Sequence, residues 1–224
     1  MAVMQAVIFD MDGVLIDSVA ADYRAKSKVL AEDYGLDIAA VPDPHGERHK
    51  GGSITTLLAA IQEHHGVAID KSEFAPKIIA GVYQDLQDNG VTTDPKLIAF
   101  LDDLKAHAVP MAIATSSTRQ GTENRLDILG IQNYFQVIIT SDDVQQHKPH
   151  PEPYTTAMEQ LHAMPANTFI FEDSKQGIAA GRASGAKVIG VTNHNTKKDS
   201  LPDTILTIDT WSEISYERLS SLRL

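Results

Sequence analysis

Apolar positions in this chain follow two rhythms. The first is a set of short unbroken runs: Gln5–Phe9 (QAVIF), Met111–Ala114 (MAIA), Val137–Thr140 (VIIT), Thr168–Phe171 (TFIF), Lys187–Val191 (KVIGV) and Ile205–Ile208 (ILTI). They are rich in Val, Ile and Phe and do not alternate with polar residues, as expected of strands buried on both faces. The second rhythm is helical. Leu97, Ile98, Leu101 and Leu104 fall on one face behind Asp94-Pro95, an N-cap with proline at the first helical position. Leu126, Ile128 and Leu129 precede Gly130, a helix-ending residue. Pro151 opens a segment carrying Ala157, Met158 and Leu161, and Ser174 is placed to cap a helix over Ile178–Ser184 before Gly185. Strands alternating with helices predict a parallel sheet with helices on both faces.

Residues 18–92 break the alternation. Tyr23–Tyr34, Ile54–His64 and Phe74–Leu86 read as helices with no strand among them, and Pro42-Asp43-Pro44-His45-Gly46 and Gly51-Gly52 mark loops. The expected architecture is therefore α/β. A Rossmann-like parallel-sheet core, residues 1–17 and 93–224, carries an all-helical cap domain, residues 18–92, inserted after the first strand.

Charge narrows the partners. The chain has 224 residues, with 19 Lys and Arg against 30 Asp and Glu, a formal net charge of −11. That leaves no footprint for nucleic acid or an anionic membrane. A small anion can bind only where a cation or local donors reverse the field. The chain has no cysteine, which excludes disulfides, thiolate catalysis and cysteine-zinc sites. Asp10 and Asp12 interrupt the first apolar stretch and no basic region precedes it, so a signal peptide is not expected. No apolar run reaches the length of a membrane span. A cytoplasmic monomer is the resulting expectation.

The chemistry gathers where the strands end. Open parallel sheets bind ligands beyond the carboxyl ends of their strands. Asp10 ends the first strand, with Asp12 two residues on. Thr115-Ser116-Ser117-Thr118-Arg119 follows the second, Lys148-Pro149 follows the third by a short loop, and Glu172-Asp173-Ser174 closes the fourth. Carboxylates so gathered repel one another and call for a cation. Oxygen ligands without His or Cys suit a hard ion such as Mg²⁺, and such an ion invites phosphate. Thr115 and Ser116 offer hydroxyls, the Ser116 and Ser117 amides can donate, and Lys148 adds a compact positive charge. With no cysteine nucleophile and no G-x-S-x-G turn, a carboxylate is left to attack and form an aspartyl phosphate. Asp10 is the better nucleophile because it directly ends the strand. Asp12 is then free to protonate the leaving oxygen and later to activate water. Gly13 lets the chain turn away.

DMDGVLIDS, ATSS, KPHPEPY and FEDSKQGIAAG resemble, in order and spacing, the four motifs of the haloacid dehalogenase-like superfamily, closest to its phosphatase and beta-phosphoglucomutase branch. The resemblance brackets almost the whole chain and implies a mobile helical cap over the insertion. It implies Asp10 as nucleophile and Asp12 as general acid and base, with Thr115 and Lys148 stabilising phosphate and Ser116 donating to it. It implies Mg²⁺ held by the Asp10 carboxylate, the Asp12 backbone carbonyl and Asp173. Glu172 matches a position that is a metal ligand in some relatives and a supporting group in others. Asp12 argues against dehalogenase chemistry, which lacks the second acid, and against phosphonate cleavage through a cap lysine such as Lys50. The cap run Lys50-Gly51-Gly52-Ser53 resembles that of phosphoglucomutases, but Ile54 stands where they usually place arginine.

The expected activity is Mg²⁺-dependent hydrolysis of a small phosphorylated metabolite, such as a sugar phosphate. A sugar phosphomutase and a non-catalytic metabolite-binding module are the alternatives. Arg48 and Lys50 read either as substrate-binding residues of the cap or as an exposed loop. Asp17 and Ser174 read as helix caps and Arg119 as a surface residue. His45 and His49 have a zinc-like spacing only if helical, and their Pro and Gly neighbours indicate a loop.

Overall fold

The computed structural model describes residues 4–42, 54–91, 93–193, 196 and 201–222. Arg48 and Lys50 lie outside them, as do His45, Glu47, His49, Gly51, Gly52, Ser53 and His194. The chain divides into two compact units, Asp17–Val91 and Met1–Ile16 with Thr92–Leu224.

The described part of Asp17–Val91 is helical: α1 (Val19–Tyr34), α2 (Ile54–His65) and α3 (Lys71–Asp88), with a short 3-10 turn at Ile38–Ala40. Helix α1 has Ser18, not Asp17, at its N-cap position, and it stops at Gly35, whose φ of 64° suits glycine. Helix α3 starts where the Asp70 carboxylate accepts from the Ser72 N–H at 2.7 Å. Leu30, Leu57, Ile61, Phe74 and Ile78 are buried among the three. Burying side chains of this size contributes about 1.5–3 kcal/mol each. The ion pairs Arg24–Asp85 and Lys77–Asp33, both at 2.6 Å, join α1 to α3 at the surface, where solvent screens them.

The other unit holds a six-stranded parallel sheet: β1 (Ala6–Phe9), β2 (Met111–Ala114), β3 (Val137–Ile139), β4 (Thr168–Glu172), β5 (Lys187–Val191) and β6 (Leu206–Ile208), in the order β3-β2-β1-β4-β5-β6. Its helices are α4 (Pro95–Ala106), α5 (Arg119–Leu129), α6 (Glu152–Gln160), α7 (Lys175–Ala183) and α8 (Tyr216–Ser221). Both faces of the sheet are covered, which is why its strands read as unbroken apolar runs. On one face Phe9 stacks on Phe171, with ring centroids 5.1 Å apart, and Phe100, Phe135 and Trp211 crowd around them. On the other, Ile8 and Ile170 pack with Tyr154, Met158 and Ile178. The expected caps recur: Asp94 accepts from the Lys96 N–H before Pro95, Gly130 ends α5, and Ser174 accepts from the Gly177 N–H. In register, Phe9 stands beside Ile113 and Phe171, so the ends of β1, β2 and β4 lie side by side.

Candidate active site

Strand β1 delivers Asp10 to the carboxyl edge of the sheet, where its N–H donates to the Phe171 carbonyl at 2.9 Å and only 7% of the residue stays exposed. The chain then folds back at once. The Gly13 N–H donates to the Ile16 carbonyl at 2.7 Å, and the N–H groups of Val14, Leu15 and Ile16 converge on the Met11 carbonyl. Gly13 has a φ of 93°. A methyl group there would lie 2.1 Å from Asp173 Oδ2, so glycine is required twice over, by backbone angle and by space.

Asp10, Thr115, Lys148, Glu172 and Asp173 come together around this turn. Each of the three Lys148 ammonium donors has an acceptor: Asp10 Oδ1 at 2.6 Å, Glu172 Oε1 at 2.7 Å and the Ala114 carbonyl at 3.0 Å. Burial by itself lowers the affinity of that ammonium for its proton, but the charges of Asp10 and Glu172 outweigh it and hold Lys148 above its ordinary value. Thr115 ends the second strand's reach, its N–H bonded to the Ile139 carbonyl and its Oγ1 accepting from the Ser117 N–H at 3.1 Å. The Ser117 amide is thus committed to the turn, while Ser116 lies exposed beside it.

Glu172 is wholly buried and its acceptor positions are filled. Oε1 takes Lys148 and the Tyr154 hydroxyl at 2.9 Å; Oε2 takes the Ser174 N–H at 2.8 Å and the Ser174 hydroxyl at 3.0 Å. Burial pushes this carboxyl up, but the Lys148 charge and these donors together hold it below the ordinary value. Asp10 goes the other way. Burial, with Glu172 and Asp173 nearby, raises it well above the ordinary carboxylate range despite Lys148. Asp173 is pushed up to about 7 by burial and by Glu172, against a hydrogen bond from Asn193.

Asp12 stands apart from Lys148. Its Oδ2 accepts from the Ser117 hydroxyl at 2.7 Å, and its Oδ1 faces Arg125 Nε at 2.9 Å. The two acids of the D-x-D pair therefore answer to different cations. Arg119, by contrast, is tied down, its Nη2 donating to Asp143 at 2.6 Å and to the Ile138 carbonyl at 3.1 Å.

Four of these supports were not singled out in the sequence: Ser117 as a side-chain donor, Arg125, Tyr154 and Asn193. Arg125 left a readable trace. Thr122, Arg125, Leu126 and Leu129 share the buried stripe of α5, and a charge in such a stripe needs a partner. Tyr154 sits likewise in the apolar face of α6. Asn193, whose Nδ2 donates to Asp173 Oδ2 at 2.7 Å and the Gly13 carbonyl at 3.1 Å, lies in a loop with no periodicity to betray it.

The donor set fits a hard divalent cation. Asp10, Glu172 and Asp173 each bring a carboxylate oxygen within 4.8 Å of the others. One ammonium is shared between two of these three acids, of which Asp10 and Glu172 are buried and Asp173 half-buried, so positive charge is in deficit. Oxygen-only ligation selects an ion of the Mg²⁺, Ca²⁺ or Mn²⁺ class.

Comparison with known proteins points the same way. The profile of the haloacid dehalogenase-like hydrolases matches residues 7–191. A phosphorylated carbohydrates phosphatase of Thermotoga maritima is 30% identical, over 85% of this chain and 86% of its own. A fructose-1-phosphate phosphatase of Escherichia coli strain K12 is also 30% identical, over 82% of this chain and 94% of its own. Among solved structures, a Thermotoga maritima protein provisionally assigned as a beta-phosphoglucomutase is 28% identical. It covers 92% of this chain and 94% of its own with a TM-score of 0.71.

Proposed function

We propose, for a chain that belongs to the haloacid dehalogenase-like hydrolases, the Mg²⁺-dependent hydrolysis of a small carbohydrate phosphate by a cytoplasmic monomer. That it is a phosphoric monoester hydrolase follows from its relatives; the substrate class, the metal and the residue roles are this reading's own. The observation that carries it is the separation of the acid pair. Asp10 ends β1 against Lys148, and Asp12 is held to one side by Ser117 and Arg125.

In this reading an Asp10 oxygen attacks phosphorus in line. The bond from phosphorus to the ester oxygen breaks, and Asp12 supplies the proton that lets the alcohol leave. Asp12 then takes a proton from water, whose oxygen attacks the aspartyl phosphate and restores Asp10. Lys148 and the Thr115 hydroxyl offset charge on the transferring group, with the Ser116 amide as a further donor. Asp10, Asp173 and the Asp12 carbonyl would hold the metal ion, which supplies Lewis-acid stabilisation of phosphoryl charge. Glu172, its acceptors filled, serves to hold Lys148 and the start of α7. Arg48 and Lys50 remain candidates for reading the rest of the substrate.

Phosphate release from a panel of phosphorylated carbohydrates, with and without Mg²⁺, tests this. Release that requires Mg²⁺ and falls at least about 10³-fold in Asp10→Asn is expected. Full activity in Asp10→Asn would overturn the assignment. A phosphomutase is the second reading, supported by the 28% identical structural relative and weakened by Ile54. Isomerisation that needs a bisphosphate primer would favour it.

A further inference from the structure

We propose that Arg125, together with Ser117, is the positioning residue that sets the Asp12 carboxylate for proton transfer to the leaving oxygen. The inference rests on the reading of Asp12 as the general acid. It adds a residue from α5 whose place in the reaction neither the motifs nor the relatives' names assign.

The geometry is a two-point hold. Ser117 Oγ donates to Asp12 Oδ2 at 2.7 Å, and Arg125 Nε lies 2.9 Å from Oδ1. A hydrogen bond thus holds one carboxylate oxygen and an ion pair faces the other, which favours one orientation of this short side chain. The guanidinium is itself fixed. Its Nη1 donates to the Gly121 carbonyl at 2.8 Å, one turn back on the same helix, and its side chain is only 11% exposed. The backbone at Gly121 makes room for it, since a methyl group there would come within 3.0 Å of Nη1. The turn that carries Ser117 is braced as well, by Thr115 Oγ1 at its N–H. Both donors thus hang from one rigid corner, the exit of β2 and the first turns of α5.

Helix stability does not explain an arginine here. An apolar side chain of similar length would fill the stripe beside Leu126 without desolvating a charge, and replacing a buried ion pair that way is often neutral or stabilising. What an apolar residue would not do is orient Asp12. Arginine also differs from lysine at this place, because one planar group keeps its charge beside Asp12 while its Nη1 donates to the Gly121 carbonyl.

Leaving-group dependence separates this role from a structural one. A carbohydrate phosphate releases a poor alkoxide leaving group that must be protonated as it departs. The 4-nitrophenolate of 4-nitrophenyl phosphate departs without a proton. The ratio kcat/KM reports steps through departure of the leaving group, so it excludes the later attack of water. We expect Arg125→Met to lower kcat/KM about 10²-fold on the best carbohydrate phosphate of the panel. The loss on 4-nitrophenyl phosphate is expected to be about ten times smaller or less. Asp12→Asn should show the same split more strongly. Ser117→Ala and Arg125→Lys should show it more weakly, and these two carry the test if Arg125→Met fails to fold. Equal losses on both substrates in the Arg125 and Ser117 variants, or none, would overturn the proposal while leaving the phosphatase intact. Wild-type protein inactive on both substrates with Mg²⁺ would remove the reading beneath it.

Discussion

At Gly13 two separate demands meet. Its φ of 93° is a backbone conformation that side chains rarely adopt, and its missing methyl leaves the space that Asp173 Oδ2 and Asn193 Nδ2 occupy. Gly13→Ala is therefore expected to lower the thermal midpoint and to weaken Mg²⁺ binding at least about 10-fold, as displaced ligand supports do. Calorimetric titration with Mg²⁺ would show it; unchanged affinity would mean that Asp173 is not a ligand. The turn at Gly13 is legible in DMDGVLID, because a glycine after an acid at a strand end has few other uses. The collision with Asp173 is not legible, since the two residues meet only when β4 lies beside β1. Arg125 is an intermediate case. Its spacing from Leu126 and Leu129 marks it as buried, but nothing in the sequence says that its partner is Asp12.

The sheet shows the same division among its elements. Six strands are legible because burial on both faces demands unbroken runs rich in Val, Ile and Phe, however short. Where a strand stops is set by its hydrogen-bonded neighbour instead. Glu172 belongs to β4 through its pairing with Gly190, although a wholly buried acid fits no apolar pattern. Immediately beyond, Ser174 links strand and helix. Its hydroxyl accepts from the Gly177 N–H at 3.0 Å and lies 3.0 Å from Glu172 Oε2, to which it donates. Ser174→Ala loses both bonds and is expected to cost about 1–2 kcal/mol in urea denaturation. Ser174→Asp keeps the cap but sets a negative charge against Glu172. If capping were the only role of Ser174, the aspartate variant would match wild type; we expect it to be less stable.

For the whole molecule, the acid cluster ties stability to pH and to metal. Burial and the nearby Glu172 push Asp173 up to about 7 from an ordinary 3.8, and burial raises Asp10 as well. Between those values the folded chain keeps protons that the unfolded chain releases. The metal-free protein is thus fully favoured below about pH 4 by these two groups and loses that contribution as pH rises towards 7. A bound cation replaces the protons, so Mg²⁺ should raise the thermal midpoint, most above pH 7, by about 2.7 kcal/mol of stability at a hundred times its dissociation constant. Scanning the midpoint from pH 5 to 8 with and without Mg²⁺ checks both signs, and Asp173→Asn should flatten both curves. A metal-free midpoint that climbs through this window would contradict the assignment.

The sheet order β3-β2-β1-β4-β5-β6 carries a consequence for how the protein is made. Strand β1 precedes both of its neighbours in the chain, and until Thr168–Glu172 has been synthesised it can pair only with β2. Asp173 arrives next and Asn193 later still. A nascent chain therefore carries Asp10 without Glu172, Asp173 and Asn193 until the segments that bear them have been made. The acidic cluster of Asp10, Glu172 and Asp173 forms only when β4 slots in beside β1, so a nascent chain that stops short of β4 has not assembled it.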